Sequence, residues 1–93
     1  MYFFGLYFDY LVEIKKVLEE IEQYVIDFVR ELRIAKKLRQ EDIAYILDVK
    51  PSFIGNVESS SNIAKYNLKH INKLADHFGI SPKDFLPEKS TIK

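Results

Sequence analysis

The 93-residue chain contains no cysteine and only three glycines and three prolines. Without cysteine it can form no disulfide, no thiolate metal site and no cysteine nucleophile, which fits a reducing cytoplasm. Between residues 6 and 50 it has neither glycine nor proline, so the residues that ordinarily interrupt a helix are missing there. With 47% hydrophobic residues, the chain can form one modest core but no second domain of ordinary size.

The sequence also lacks the common signatures of a catalytic site. It contains no glycine-rich phosphate-binding loop and no recognisable pairing of a nucleophile with a base. His70 and His77 are seven residues apart without a third ligand nearby, which favours structural histidines over a metal site. We therefore expect no enzyme activity, no metal and no other cofactor.

Residues 1–8, MYFFGLYF, are strongly apolar, but they include no lysine or arginine, which is untypical of a signal peptide. The stretch is also far shorter than the ~20 residues that a membrane-spanning helix needs. We expect these aromatic side chains to pack against the chain itself or against a dimer partner, rather than to contact a membrane.

The net charge of zero is unevenly distributed. Residues 1–28 carry two lysines and six acidic residues, a net charge of −4, which leaves +4 on the remainder. An acidic amino-terminal part on a mildly basic domain fits a protein that presents one surface to an anion. Ordinary variation of surface residues is the alternative explanation.

The first third of the chain has a seven-residue apolar repeat, formed by Leu11, Ile14, Leu18, Ile21, Val25, Phe28 and Leu32. It predicts one long helix from about Asp9 to about Lys37, with Asp9 as its cap. Such a helix needs a partner surface to bury its apolar stripe. One interpretation is that residues 1–8 fold back over the stripe within one monomer. The interpretation that we favour is homodimerisation through Leu11, Ile14, Leu18, Ile21 and Val25.

Residues 40–58, QEDIAYILDVKPSFIGNVE, consist of two short apolar-periodic segments joined by Asp48-Val49-Lys50, the pattern of a helix-turn-helix. The first segment has one apolar face, formed by Ile43, Ala44 and Leu47. The second helix is predicted to begin near Pro51, because the missing N–H of proline has no helical partner in a first turn.

Several residues at mutually consistent offsets resemble the phage-repressor and Cro-type (Xre-like) DNA-binding family: Arg33, Leu38, Gln40-Glu41-Asp42-Ile43-Ala44, Leu47-Asp48-Val49, Ile54 and Val57-Glu58. The resemblance implies an all-α, five-helix repressor-like helix-turn-helix domain, and the apolar repeat predicts that its first helix is long and extended towards the N-terminus. The domain would occupy residues 25–86. Residues 1–24 would form the dimerising extension, and residues 87–93 a tail.

The same resemblance implies where DNA would bind. The family's base-contacting positions correspond to Pro51, Ser52 and Asn56 in a recognition helix from Pro51 to Ser59, and a phosphate contact corresponds to Gln40. Asn56 is the strongest base-reading candidate, because its amide can form two hydrogen bonds with adenine in the major groove. Phe53 either meets a thymine methyl group or covers the domain surface, and we favour the second interpretation.

Other candidates for DNA contact follow from charge and hydrogen-bonding chemistry. Arg39, at the start of the first motif helix, either attracts a phosphate or remains solvated. Lys50 opposes the positive end of the second helix, so a neighbouring DNA phosphate would explain its charge. The polar loop that follows offers three further phosphate contacts, Ser59, Ser60 and Lys65.

Four further features concern stability. As the resemblance implies, Arg33 and Glu58 are expected to form a structural ion pair between the first helix and the recognition helix. Asp48 stands where the family usually has glycine, and aspartate accepts positive φ better than most residues. Asn67 is predicted to cap the last long helix and Gly79 to end it.

Taken together, the sequence predicts a transcriptional regulator that binds double-stranded DNA sequence-specifically, as a homodimer on a two-part operator, without membrane association. The alternative is a protein-interaction module or antitoxin-like component with the same fold, whose N-terminal helix binds a protein partner.

Overall fold

The computed structural model of the protein describes residues 18–92. This part of the chain forms four α-helices and no strand. They are α1 (Glu20–Ala35), α2 (Gln40–Leu47), α3 (Pro51–Glu58) and α4 (Leu68–Phe78), followed by a 3-10 helix (Pro82–Phe85). The all-α prediction is confirmed for these residues. The predicted count of five α-helices is not found among them: four α-helices are followed by a single 3-10 turn.

The first helix begins later than predicted. Glu19 has extended backbone angles, φ −71° and ψ 154°, and α1 begins at Glu20. The backbone N–H of Glu19 donates to the Glu22 carboxylate at 2.9 Å, which satisfies one of the donors exposed at a helix start. The prediction of one uninterrupted helix from Asp9 to Lys37 is therefore wrong, because the chain is not helical at Glu19. The apolar repeat did not reveal this, since an extended capping residue can interrupt a helix while the spacing of apolar residues continues. Asp9 lies outside the described residues.

Of the stripe predicted for dimerisation, only Ile21 and Val25 lie within α1. Leu11 and Ile14 lie outside the described residues. Leu18 precedes the helix and packs against the edge of the core. Ile21 is 40% exposed, whereas Val25 is only 5% exposed because the domain itself buries it. Burial of α1 at Val25 thus needs no second copy of the chain.

One hydrophobic core joins all the helices. Its most deeply buried large side chains are Val29, Ile43, Leu47, Ile54, Leu74 and Phe85. The Phe85 ring lies 4.8 Å from the Phe28 ring, measured between centroids, which attaches the 3-10 helix to α1. Helix α2 packs against α3 and α4, and α1 packs against α3. The α2–α3 pair therefore packs on α1 and α4.

None of the helices in residues 18–92 has the length and apolar character needed to cross a membrane.

The turn between α2 and α3 has the predicted form. Asp48 adopts the left-handed conformation, with φ 58° and ψ 49°. The N–H of Val49 donates to the Ala44 carbonyl at 3.0 Å, which closes the end of α2. Helix α3 begins at Pro51, as predicted from the fixed φ of proline.

The caps of α4 are also confirmed. Asn67 Oδ1 accepts a hydrogen bond from the His70 N–H at 2.9 Å, and the Asn67 N–H donates to His70 Nδ1 at 3.1 Å. This reciprocal arrangement is a capping box in which histidine takes the place usual for Glu or Gln. Gly79 ends the helix with a φ of 70°, where a side chain would be strained.

Candidate nucleic-acid interface

Helix α3 has one buried side and one exposed side. Ile54 and Val57 are 0% and 2% exposed, and they pack into the core. Pro51, Ser52 and Asn56 are exposed. Because residues four positions apart share a helix face, the Ser52 and Asn56 side chains project from the same side of α3. The structure thus brings two of the predicted base-contacting residues together on an accessible surface.

A single carboxylate links the end of α3 to two other parts of the domain. Arg33 Nε donates to Glu58 Oε2 at 3.0 Å and Arg33 Nη2 to Glu58 Oε1 at 2.8 Å. Arg33 Nη1 also donates to the Leu38 carbonyl at 3.0 Å. The Arg33 and Glu58 side chains are 14% and 6% exposed, so water screens their attraction only weakly. This two-point contact attaches the end of α3 to α1.

Gln40 joins the same network. Its Nε2 donates to Glu58 Oε1 at 3.1 Å, so its amide is directed towards α3. Its Oε1 lies beside Gly55, where an added Cβ would be 3.5 Å away, an ordinary van der Waals contact. Sequence interpretation proposed a phosphate contact for Gln40. The geometry shows that its side chain also positions the first turn of α2 relative to α3.

Two cationic residues flank these helix starts. Arg39 precedes α2, and its side chain is 75% exposed, with Nη1 3.6 Å from a Glu41 oxygen. The Arg39 backbone N–H donates to Asp42 Oδ2 at 2.7 Å, which satisfies one donor at the start of α2. Lys50 precedes α3, is exposed and forms no side-chain cap. The backbone N–H groups and dipole favour an anion at each helix start, and the first turn of α3 contains no acidic residue, whereas that of α2 contains Glu41 and Asp42.

Phe53 is half-buried in an aromatic cluster rather than fully exposed. Its ring centroid lies 5.4 Å from that of His70 and 6.3 Å from that of Tyr66. Burial lowers the pKa of His70, and the nearby Lys73 and Lys69 charges lower it further. The cluster supports α3 from the start of α4.

Tyr66 was missed by the sequence interpretation. It is 7% exposed, and its hydroxyl has no hydrogen-bond partner among the described residues. Burial raises the pKa of this hydroxyl, and the Glu58 charge raises it further, so the group stays neutral. The only available signal was an aromatic residue directly before the predicted cap at Asn67.

The remaining predicted contacts lie in the loop after α3. Ser59 and Ser60 are exposed, and Ser59 Oγ is 3.1 Å from Ser61 Oγ. Lys65 instead forms an ion pair with Glu22 in the first turn of α1. The hydrogen bond from Lys65 lowers the pKa of Glu22. The structure therefore places Lys65 with α1 and not with the exposed side of α3.

Within residues 18–92, no group of three or more His, Cys, Asp or Glu side chains could hold a metal ion. The arrangement offers instead a polar helix face, one cationic residue before each motif helix and an ion-paired attachment of α3 to α1, which suit contact with an anionic polymer.

A family model described as Helix-turn-helix matches residues 29–85, more than half of the chain. Among the curated proteins and the solved structures compared, none matches. The match spans the two motif helices, α4 and the 3-10 helix, together with the part of α1 that contributes Arg33. The chain therefore belongs to the helix-turn-helix family of the Cro/C1 (Xre-like) type, as its sequence pattern indicated.

Proposed function

We propose that this protein is a sequence-specific transcriptional regulator that places α3 in the major groove of double-stranded DNA. The observation that carries the proposal is the shared exposed face of Ser52 and Asn56 on a helix anchored by Glu58. A recognition helix needs both properties, because base contacts require side chains free of the core and a fixed helix position.

Each part of the surface has its own role in this proposal. Asn56 reads adenine through its amide, and Ser52 and Pro51 contact neighbouring base edges. Arg39 and Lys50 bind phosphates at the two helix starts, where Gln40 also lies. The exposed hydroxyls of the loop after α3 extend the phosphate contacts, through Ser59 and Ser60. Phe53 and Lys65 contribute less, because one packs in the aromatic cluster and the other pairs with Glu22.

We further propose that two copies occupy a two-part operator. Two recognition helices of a symmetric dimer read half-sites about one helical turn apart, roughly 34–36 Å, or a multiple of that distance. The operator would then be an inverted repeat. Sedimentation of the full chain with and without such a duplex measures whether two copies bind together.

Selection of bound DNA from a random pool tests the function. The full chain should enrich an inverted repeat, and Asn56→Ala should lose the preference at one base pair of each half-site, a change of about 1–3 kcal/mol. Asn72→Ala is the matched control, since Asn72 is an exposed asparagine on α4. The DNA sequence selected by Asn72→Ala should be the same as that selected by the unmodified protein. Absence of any enriched sequence would overturn the proposal.

A protein-interaction or antitoxin-like role is the second candidate. It is favoured by the exposed apolar side chains Ile21 and Tyr24 near the start of α1, which are 40% and 43% exposed. This role predicts a stoichiometric protein partner bound through residues 1–28, together with no salt-sensitive affinity for DNA. Pull-down with the full chain and a DNA titration at several salt concentrations separate the two candidates.

A further inference from the structure

An apolar groove lies between the first turns of α1, the start of α4 and the end of the 3-10 helix. Its volume is about 360 Å³, and its apolar walls are Ile21, Val25, Tyr66, Leu68, Ile71 and Leu86. Leu68 is 78% exposed and Ile21 is 40% exposed, although both are large apolar residues. Large apolar side chains gathered at one accessible site are typical of a surface that binds another apolar group.

The charge at this groove also favours an apolar occupant. Lys65 and Glu22 both line it, but they form an ion pair with each other. The other polar groups of the lining residues are neutral: the Asn67 side chain caps α4, and the Tyr66 hydroxyl is buried without a hydrogen-bond partner among the described residues. The groove thus offers neither a free cation for an anionic ligand nor a free carboxylate for a cationic one among its described lining residues.

The sequence supplies an apolar segment close to this groove. Seventeen residues precede Leu18, and Leu18 is three positions before Ile21 in the groove wall. Residues 1–8 contain five aromatic residues and no charged residue. The nine residues that follow would span at most about 30 Å when extended and about 14 Å as a helix. A segment on so short a connection is present at an effective concentration in the millimolar range, which favours the same molecule over a second copy.

We propose that residues 1–8 bind this groove in cis and cover Ile21 and Leu68. None of the described lining residues belongs to α3, so this docking leaves the face with Ser52 and Asn56 accessible. The inference stands independently of the proposed function, because no step in it uses DNA.

A paramagnetic label can test the docking in the full chain. Since the sequence contains no cysteine, Asp9→Cys provides a single attachment site beside the aromatic segment. In a uniformly isotope-labelled chain, the spin label should selectively remove the NMR signals of Ile21, Leu68, Ile71 and Leu86. A sample that mixes spin-labelled unenriched chains with enriched chains lacking the spin label should keep those signals. Signal loss in the mixed sample would instead show docking in a second copy and overturn the cis assignment.

Two matched variants test the groove itself. Leu68→Asp places a charge on the wall at the first position of α4, where an acidic residue suits the helix dipole and the fold should persist. It should abolish the selective signal loss. Ile63→Asp, at a residue that is 51% exposed and does not line the groove, should leave it unchanged. Equal signal loss in both variants, or none in the unmodified sequence, would overturn the proposal.

Discussion

Arg33 and Glu58 meet through two hydrogen bonds, of 3.0 and 2.8 Å, between helices that are adjacent in space but distant in sequence. Glu58 also accepts a hydrogen bond from Gln40, so one carboxylate connects α1, α2 and α3. Because the Glu58 side chain is only 6% exposed, loss of Arg33 would leave a buried negative charge. Folding stability and the orientation of α3 therefore depend on the same contact.

Substitution of one member of this pair should be strongly destabilising. Glu58→Ala is expected to lower the free energy of unfolding by about 3 kcal/mol, because it leaves the Arg33 guanidinium without its partner in a poorly hydrated site. Urea unfolding followed by circular dichroism measures the change. Arg39→Ala is the control, since its side chain is 75% exposed and its loss should cost about 0.5 kcal/mol or less. Equal effects of the two substitutions would contradict a structural role for the pair.

Lys50 provides a test of phosphate binding that is separate from stability. Lys50→Ala should weaken binding to every duplex to a similar degree and reduce the salt dependence of log K by about one unit. Fluorescence anisotropy at several salt concentrations gives that slope. Lys69→Ala removes an exposed lysine from α4 and should leave the slope unchanged. An unaltered slope in Lys50→Ala would exclude Lys50 as a phosphate contact.

Features set by neighbouring residues could be predicted from the sequence. Asp48 at the turn, Pro51 at the start of α3 and Asn67 at the cap of α4 each obey a local rule of backbone conformation or capping. The exposed position of Ser52 and Asn56 followed from helical spacing alone.

Other features depend on contacts between distant parts of the chain. The pairing of Lys65 with Glu22 and the hydrogen bond from Gln40 to Glu58 join residues on different elements. Such contacts cannot be predicted from the spacing of apolar residues. The apolar repeat also did not predict that α1 begins at Glu20. The hydrogen bond from the Glu19 N–H to the Glu22 carboxylate marks this start, but it does not alter the spacing of the apolar residues.

Substitution of Gly55 can distinguish an effect on folding stability from an effect on the proposed DNA binding. An alanine Cβ would be 3.5 Å from Gln40 Oε1 and would meet no strain, so Gly55→Ala should stabilise the free protein by roughly 0.5–1 kcal/mol. In the proposed complex DNA affinity should nevertheless fall, because helical spacing puts the added methyl group on the side of α3 that carries Ser52 and Asn56. Parallel urea unfolding and anisotropy titrations measure the two effects. Unchanged DNA affinity would show that glycine is not needed there for close approach.

His70 should make stability depend on pH. Burial, with Lys73 and Lys69 nearby, lowers its pKa in the folded protein below the ordinary value of 6.5. The unfolded chain therefore binds a proton more readily, and stability falls as the pH drops through about 6.5 towards the folded pKa. Protonation also removes the Nδ1 acceptor that caps the Asn67 N–H at 3.1 Å.

Thermal unfolding of the full chain between pH 7.5 and 5.5 measures this dependence. His70→Gln keeps a side-chain acceptor at the third helical position but cannot titrate, so it should be less sensitive to acid than the unmodified protein. His77→Gln, at an exposed position of the same helix, should retain the original pH dependence. Identical pH profiles for His70→Gln and the unmodified chain would show that the loss of stability originates at another group.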